Sequence, residues 1–161
     1  MRAANEVRAS AVVQAPAARV YDIIADYRDG HPRIVPPRYF KWMRVHSGGI
    51  GAGTTISFGM RVMGVSKTLK AIISEPEPGR VLLEAYPLDG TETTFTVVPE
   101  GASASRVTIA TAVSPRGGLA AVFERAVSRR VLPPIYREEL QRLAEHAEGR
   151  QVHEPVPQSE G

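Results

Sequence analysis

The sequence contains no cysteine, and this absence removes several kinds of chemistry at once. Without thiols the chain forms no disulfide, binds no metal through thiolates and has no cysteine nucleophile. The absence also fits a reducing compartment, so we expect a cytoplasmic protein. Long apolar runs are missing too, since no stretch approaches the roughly 18 residues of a membrane-spanning helix. Arg8, Ser10 and Gln14 interrupt the N-terminal region, which therefore lacks the apolar core of a signal peptide.

A strong excess of one charge is also absent. The 20 lysines and arginines against 17 acidic residues leave a net charge of +3, too little for a dedicated nucleic-acid binder. The hydrophobic share of 43% is that of an ordinary globular chain, and 161 residues suffice for one core. We therefore predict a single ligand-binding domain over residues 1–147. The polar, proline-containing segment 148–161 shows no periodicity and is predicted to be a flexible tail.

The hydrophobic periodicity predicts strands around one short helix. Residues 5–14 alternate as a strand, and residues 16–28 have helical spacing after Pro16. Asp29-Gly30-His31-Pro32 is expected to end that helix and to begin an irregular stretch. Turn-forming residues then separate six predicted strands, which are Tyr39–Ser47, Thr54–Met63, Val65–Ser74, Arg80–Tyr86, Thr91–Val98 and Arg106–Ala112.

A long helix is predicted from about Gly117-Gly118 to Ala147, and it would cover the apolar face of the sheet. One stripe runs through Leu119, Val122, Phe123, Ala126 and Val127. A second stripe runs through Tyr136, Leu140, Leu143, Ala144 and Ala147. Pro133 and Pro134 lie between them and are predicted to kink the helix, because each lacks a backbone donor.

This order of elements, together with three segments, resembles a known family. The chain is similar, over about residues 5–147, to the polyketide cyclase/dehydrase and lipid-transport family of the START-like superfamily. The segments that carry the resemblance are residues 15–27 (APAARVYDIIADY), Gly48-Gly49 through Gly53-Thr54, and residues 75–80 (EPEPGR).

The resemblance implies an α+β helix-grip fold, in which a curved seven-stranded antiparallel sheet wraps around the long C-terminal helix. It also implies a mostly apolar cavity between sheet and helix that binds a small hydrophobic ligand, such as a lipid, a polyketide or a quinone. Large side chains are available to line it, and the candidates are Tyr27, Tyr39, Phe58, Met60, Phe95, Phe123 and Tyr136. No cofactor is expected.

Basic residues are concentrated after the first helix. Arg33, Arg38, Lys41 and Arg44 occur among aromatic residues, and the fold would bring them to one end of the cavity. They form a predicted basic mouth, which would attract an anionic ligand group or make weak contact with an anionic membrane surface. An ordinary solvated face is the alternative interpretation.

Two functions remain open at this point. The first is a carrier or binder of a small hydrophobic molecule. The second is a polyketide aromatase/cyclase or dehydratase, which needs an acid or base in the same cavity. The strands that are expected to face inward show hydroxyl and apolar side chains without an acid and base pair, so the binder is favoured and no catalytic residue is assigned. Asp26, Asp29 and His31 are interpreted as helix-end and turn residues, and no metal site is expected.

Overall fold

The computed structural model describes residues 6–88, 90–112 and 119–159, with side chains for all of these except 119–128. Seven strands and three helices follow one another in the order β1 (Glu6–Val13), α1 (Ala17–Ala25), α2 (Gly30–Ile34), β2 (Phe40–Ser47), β3 (Thr55–Val62), β4 (Val65–Glu77), β5 (Val81–Tyr86), β6 (Thr91–Pro99), β7 (Ser105–Ala112) and α3 (Leu119–Ala147). The predicted strands are confirmed, with ends that differ by at most three residues.

The seven strands form one open antiparallel sheet in the order β1-β7-β6-β5-β4-β3-β2. Short turns connect consecutive strands from β2 to β7, and β1 pairs with β7 at the far edge. The sheet curves around α3, so the predicted α+β helix-grip architecture is confirmed.

One face of the sheet is buried because apolar residues alternate along each strand. Buried side chains at every second position mark this face, with Ile56 and Phe58 on β3 and with Thr93, Phe95 and Val97 on β6. Further buried residues on the inner face are Val7, Val13, Ala71, Ile73, Leu82, Val107 and Ile109.

The second half of α3 packs as the sequence predicts. Ile135, Tyr136, Leu140, Leu143 and Ala147 are buried, which confirms the second stripe. The first stripe, including Phe123, belongs to side chains outside the described part of the chain. The helix runs through both prolines from Leu119 to Ala147, and the kink itself stays a prediction.

The helix α2 is an element that the sequence does not predict. The first helix does end early, at Ala25, but Gly30–Ile34 then forms one further helical turn instead of irregular chain. Pro32 is tolerated because backbone N–H groups in a first helical turn have no intrahelical partner. Gly30 permits close packing, since a Cβ atom there would lie 2.5 Å from the carbonyl oxygen of Ile23.

Residues 150–159 follow α3 and contact the domain, and we call them the C-terminal strap. The N–H of Val156 donates to the carbonyl of Pro32 at 3.0 Å, and the N–H of Met43 donates to the carbonyl of Pro157 at 2.8 Å. Val156 is only 6% exposed. These contacts differ from the flexible tail that the polar composition predicts, because one apolar side chain and two backbone bonds hold the segment. Its flexibility in solution stays a prediction.

Among the described residues, no helix is long and apolar enough to cross a bilayer.

Candidate functional site

A row of polar side chains crosses the inner face of the sheet. Glu84 on β5 lies directly opposite Thr93 on β6, and Thr93 lies opposite Thr111 on β7. All three are buried. The neighbouring row is apolar, since Leu82 pairs with Phe95 and Phe95 pairs with Ile109. The interior therefore contains one polar band beside an apolar surface.

The carboxylate of Glu84 is the centre of this band. The hydroxyls of Tyr27 and Tyr86 each donate to one of its oxygens at 2.6 Å. Such short bonds are typical of hydroxyls that donate to a carboxylate anion. Burial, and then the charge of Glu84, raise the pKa of Tyr27 and of Tyr86 well above the usual 10. Both phenols therefore keep their protons at neutral pH.

His31 reaches the same band from α2. Its ring stacks on Tyr27 with centroids 4.4 Å apart, and it meets the ring of Phe95 edge to face at 5.4 Å. Nδ1 lies 2.8 Å from the carbonyl oxygen of Ile24. Because a carbonyl only accepts, Nδ1 carries the hydrogen, and the neutral ring leaves Nε2 as an acceptor. Burial lowers the pKa of His31, which favours this neutral form.

Glu139 on α3 also lies close to His31. Its Oε1 lies 3.8 Å from Nε2 of His31, while Oε1 of Glu84 lies 3.6 Å from the same nitrogen. Oε1 of Glu139 is fully buried and has no hydrogen-bond partner among the described residues. Burial, and then the nearby charge of Glu84, raise the pKa of Glu139 well above its usual 4.5. A protonated carboxyl group thus stands beside a neutral imidazole.

Tyr136 completes the band on α3. Its hydroxyl bonds to the hydroxyl of Thr111, which is itself 2.8 Å from the hydroxyl of Thr93. Burial is the main reason why the pKa of Tyr136 is raised. We call the eight side chains together the polar cluster, and they are Tyr27, His31, Glu84, Tyr86, Thr93, Thr111, Tyr136 and Glu139.

The polar cluster offers both protonation states that acid–base chemistry needs. The directions of the two pKa shifts favour a protonated Glu139, which can donate a proton, and a neutral His31, whose Nε2 can accept one. Clusters of buried groups whose pKa values are shifted from their usual range are typical of acid–base sites. In the part of the chain that the structure describes, no group of three or more histidine, aspartate or glutamate side chains is arranged to hold a metal ion.

The structure brings some predicted cavity residues to the polar cluster and leaves others apart. Tyr27 and Tyr136 belong to it, and Phe95 touches its histidine. Phe58 lies between the rings of Tyr86 and Phe40, with centroids 6.1 and 5.6 Å away. The half-buried Tyr39 and Met60 lie near the end of the sheet where β2 begins. The Phe123 side chain lies outside the described residues. That these side chains contact a ligand stays a prediction.

The predicted basic mouth is partly neutralised. Arg33 pairs with Asp29 at 2.9 Å, and Arg38 lies 3.6 Å from Glu138. Lys41 donates to the carbonyl of Pro37 at 3.0 Å, and Arg44 is exposed on β2. Two of the four charges therefore have an acidic partner nearby.

One expectation about the site is wrong. His31 is not a solvated turn residue, because α2 buries it to 2% exposure. The inward face of the strands contributes one acid, Glu84, whereas Glu139 and His31 reach it from the helices α3 and α2. The sequence held a signal for both glutamates. Glu84 is two residues after the inward Leu82 on β5 and so shares its face, and Glu139 is three residues after Tyr136 within the buried stripe of α3.

A concave feature lies outside this interior. It is an open groove of about 490 Å³ lined by the start of β2, by Arg142 and by strap residues 151–157. None of the predicted cavity residues lines it, so we do not identify it with the site between sheet and helix.

Comparison with solved structures agrees with the fold. The chain is similar to the KanY protein, with 25% identity and a TM-score of 0.78 over 92% of this chain and 100% of that one. It is also similar to the Zhui aromatase/cyclase of Streptomyces sp. R1128, with 20% identity and a TM-score of 0.71 over 90% and 94% of the two chains. A START superfamily protein of Mycobacterium smegmatis has 15% identity and a TM-score of 0.67 over 91% and 99%.

A search of curated proteins found no match to the chain. The family model described as polyketide cyclase/dehydrase and lipid transport matches residues 4–148, nearly the whole domain. With the seven-stranded sheet around α3 and the relatives above, this match shows that the chain belongs to the polyketide cyclase/dehydrase and lipid transport family.

Proposed function

We propose that the protein binds a small, mostly apolar molecule between the inner sheet face and α3, with a polar group of that molecule at the polar cluster. The observation that carries the proposal is the buried, unpartnered Oε1 of Glu139. A buried polar atom without a hydrogen bond costs on the order of 1 to 3 kcal/mol. A ligand group that bonds to Glu139 would remove this cost, which favours a complex over the free protein.

The chemistry of the cluster indicates which ligand group fits. A protonated carboxyl group both donates and accepts, so a carbonyl or hydroxyl group can bond to Glu139. Nε2 of His31 accepts a hydrogen bond from a hydroxyl group at the same place. The apolar body of the ligand would lie along the aromatic side chains, with Phe58 and Phe95 as the buried examples. A phenolic or keto-bearing polyketide matches these requirements better than a plain hydrocarbon lipid does.

A second candidate function is dehydration or cyclisation of such a molecule, and the opposed protonation states of Glu139 and His31 favour it. In a dehydration, Nε2 of His31 would take a proton from the carbon next to a carbonyl group. Electrons of that C–H bond would form a C=C bond as the neighbouring C–O bond breaks. Glu139 would give its proton to the leaving hydroxyl, which departs as water. Proton return from His31 to Glu139 would restore the starting state.

One pair of variants tests binding and catalysis separately. Glu139→Gln keeps the shape and a hydrogen-bonding amide but cannot give up a proton, whereas Glu138→Gln changes the neighbouring, 30% exposed carboxylate. Titration with a dihydroxyanthraquinone should give one saturable site in the wild-type protein. If Glu139→Gln alone loses the dehydration or cyclisation activity and still binds the dihydroxyanthraquinone, the result would support catalysis.

Other outcomes decide against parts of the proposal. Absence of saturable binding, together with no small molecule in native mass spectrometry of the purified protein, would contradict the binding function. Equal turnover in both glutamine variants would contradict the catalytic role of Glu139 and leave the binding function in place.

We also propose that the protein works in the cytoplasm and makes weak contact there with an anionic membrane surface. The lack of cysteine supports the compartment. Lys41 and Arg44 support the contact, since both are exposed cations on β2.

A further inference from the structure

The hairpin formed by β3 and β4 ends in a tip that exposes apolar side chains. Met63 is 83% exposed and Val65 is 67% exposed, while Val62 and Val65 are the last paired residues of the two strands. Single exposed apolar residues are ordinary on protein surfaces, but two beside each other at a projecting turn are a local patch.

The backbone of the tip makes Met63 an unexpected residue. Met63 has φ 52° and Gly64 has φ 79°, so both central residues of this two-residue turn are left-handed. Such turns favour asparagine, aspartate or glycine, because other side chains are strained there. An asparagine at this position would relieve backbone strain in the turn and make its surface more polar. Neither stability nor solubility of the hairpin therefore explains methionine.

Cations surround the apolar tip on both faces of the hairpin. Arg61 pairs with Ser66 on one face, and Lys67 pairs with Met60 on the other, both within three residues of the turn. Lys70 follows on the same face as Arg61. All three are exposed, and none forms an ion pair with a described residue. Residues 60–70 contain no acidic residue at all.

The hairpin adjoins the membrane-facing cations proposed above. Phe40 at the start of β2 pairs with Met60, and the N–H of Arg61 donates to the carbonyl of Tyr39 at 2.8 Å. Lys41 therefore lies at the same end of the sheet as the tip. The cations of the hairpin and Lys41 are therefore close enough to contact the same membrane surface.

We propose that the β3–β4 hairpin is the element that inserts into an anionic lipid surface, with Met63 and Val65 among the acyl chains and Arg61, Lys67 and Lys70 at the phosphates. The inference deepens the membrane contact of the proposed function and rests on it. Apolar side chains between flanking cations are the pattern of interfacial anchors. The tip has no aromatic residue on which bases could stack, which speaks against nucleic acid. Its uniform positive charge speaks against a second copy of the same tip.

The absence of cysteine permits a direct test at a single labelled position. Met63→Cys would carry an environment-sensitive fluorophore, and Ser103→Cys in the exposed β6–β7 turn would carry the same label as a control. With phosphatidylcholine vesicles that contain phosphatidylglycerol, the label at position 63 should shift to shorter wavelength and the label at position 103 should not. The shift should fade as added salt shortens the Debye length from about 30 Å at 0.01 M to about 8 Å at 0.15 M.

Sedimentation with the same vesicles measures the contributions of charge and apolar tip. Arg61→Gln/Lys67→Gln/Lys70→Gln should lower the partition coefficient on the order of 100-fold, about fivefold for each cation. The control Arg80→Gln/Arg106→Gln/Arg150→Gln makes the same change in net charge at exposed, acid-paired positions and should retain binding. Met63→Asn suits the left-handed turn, so weaker binding in this variant cannot be attributed to misfolding.

The results that overturn the inference are distinct from failure of the membrane contact itself. If the wild type binds anionic vesicles while Lys41→Gln/Arg44→Gln abolishes binding and the hairpin variants do not, the contact exists and the hairpin has no part in it. If the wild type does not bind anionic vesicles at all, both proposals are wrong. A shift of the label at position 63 that depends on protein concentration without vesicles would assign the tip to contact between copies and overturn insertion. Equal binding to vesicles of phosphatidylcholine alone would contradict the role of the cations.

Discussion

Glu139 lies in surroundings that disfavour the ionised form of its carboxyl group. A carboxyl group prefers water and ionises near pH 4.5, yet this one is 3% exposed and stands near the charge of Glu84. Both conditions disfavour the anion, so the folded protein holds a proton that the unfolded chain releases. Burial of such a group lowers stability at neutral pH, and sites that accept this cost are commonly functional.

Replacement of Glu139 by glutamine should therefore stabilise the protein. Because the folded pKa is raised, the wild type loses stability as pH rises above 4.5, by up to about 1.4 kcal/mol per pH unit until the folded pKa is reached. Glu139→Gln has no such loss, so its advantage in the free energy of unfolding should grow with pH. Urea denaturation at a series of pH values measures it, with Glu138→Gln as the control. A constant difference across this range would contradict the buried protonated state.

Tyr27 is the second residue at which a small change should have a large effect. Tyr27→Phe removes the hydroxyl that donates to Glu84 at 2.6 Å and leaves a buried carboxylate oxygen without that donor. We expect a loss of about 1.5 to 3 kcal/mol, as for hydrogen bonds to charged groups. Tyr21→Phe is the matched control, because its hydroxyl makes a longer bond, at 3.4 Å, to the neutral backbone carbonyl of Val81. Thermal or chemical unfolding measures both variants. Similar losses in the free energy of unfolding would show that the bond to Glu84 contributes no more to stability than the bond of Tyr21 does.

At the scale of elements, the C-terminal strap and α2 depend on each other. The strap bonds to Pro32 through Val156, and the guanidinium of Arg33 donates to the carbonyl of His153 at 2.9 Å. Since His31 precedes these two residues, the strap holds the element that places the imidazole in the polar cluster.

Truncation of Val156 should weaken this arrangement. Val156→Ala removes part of a buried side chain and should lower the free energy of unfolding by about 1 to 2 kcal/mol. Val152→Ala, at a position that is 79% exposed, should have little effect. Hydrogen exchange of the amides in α2 should also become faster in Val156→Ala alone. Unchanged exchange there would mean that α2 is held without the strap, as a flexible tail implies.

The prolines of α3 allow a prediction about the whole helix. Pro133 and Pro134 lie inside it, where each is about 3 kcal/mol less favourable than alanine on the peptide scale. We expect Pro133→Ala/Pro134→Ala to raise helix stability and to lower affinity for the dihydroxyanthraquinone, because a straighter helix would match the curved sheet less well. Paired titrations measure this, with circular dichroism to confirm folding. Unchanged affinity in a folded variant would show that the prolines do not shape the ligand site.

At the scale of the whole molecule, the interior contains two groups with opposite pH dependence. The pKa of His31 is lowered from the usual 6.5 by burial, so below that pH the unfolded chain takes up a proton that the folded chain does not. Stability therefore falls as the pH drops below 6.5. Glu139 acts in the other direction above pH 4.5.

These two effects predict a stability maximum between about pH 4.5 and 6.5. Glu139→Gln/His31→Asn should flatten the curve on both sides, although the asparagine lowers stability overall by removing a packed ring. His46→Asn changes an exposed histidine on β2 and should leave the shape unchanged. Unfolding free energies across this pH range measure the curve. A double variant that keeps the wild-type curvature would show that other groups control the pH dependence.

Local sequence patterns suffice to predict the elements and their order. Alternation along each strand and the turn residues between strands are local properties, so the alternation alone assigns residues such as Phe58 and Phe95 to the inner face. The stripe through Tyr136, Leu140 and Leu143 is equally local, because helical spacing alone defines it.

The chemistry of the interior depends on how distant parts of the chain pack together. His31, Glu84 and Glu139 are separated by more than fifty residues along the chain from one to the next, and no local pattern indicates that they meet. Their protonation states follow from burial and from mutual distance, which are properties of the packed molecule. The contacts of the strap also depend on tertiary packing, because its polar composition indicates a free tail while one buried valine and a few backbone bonds join it to the domain.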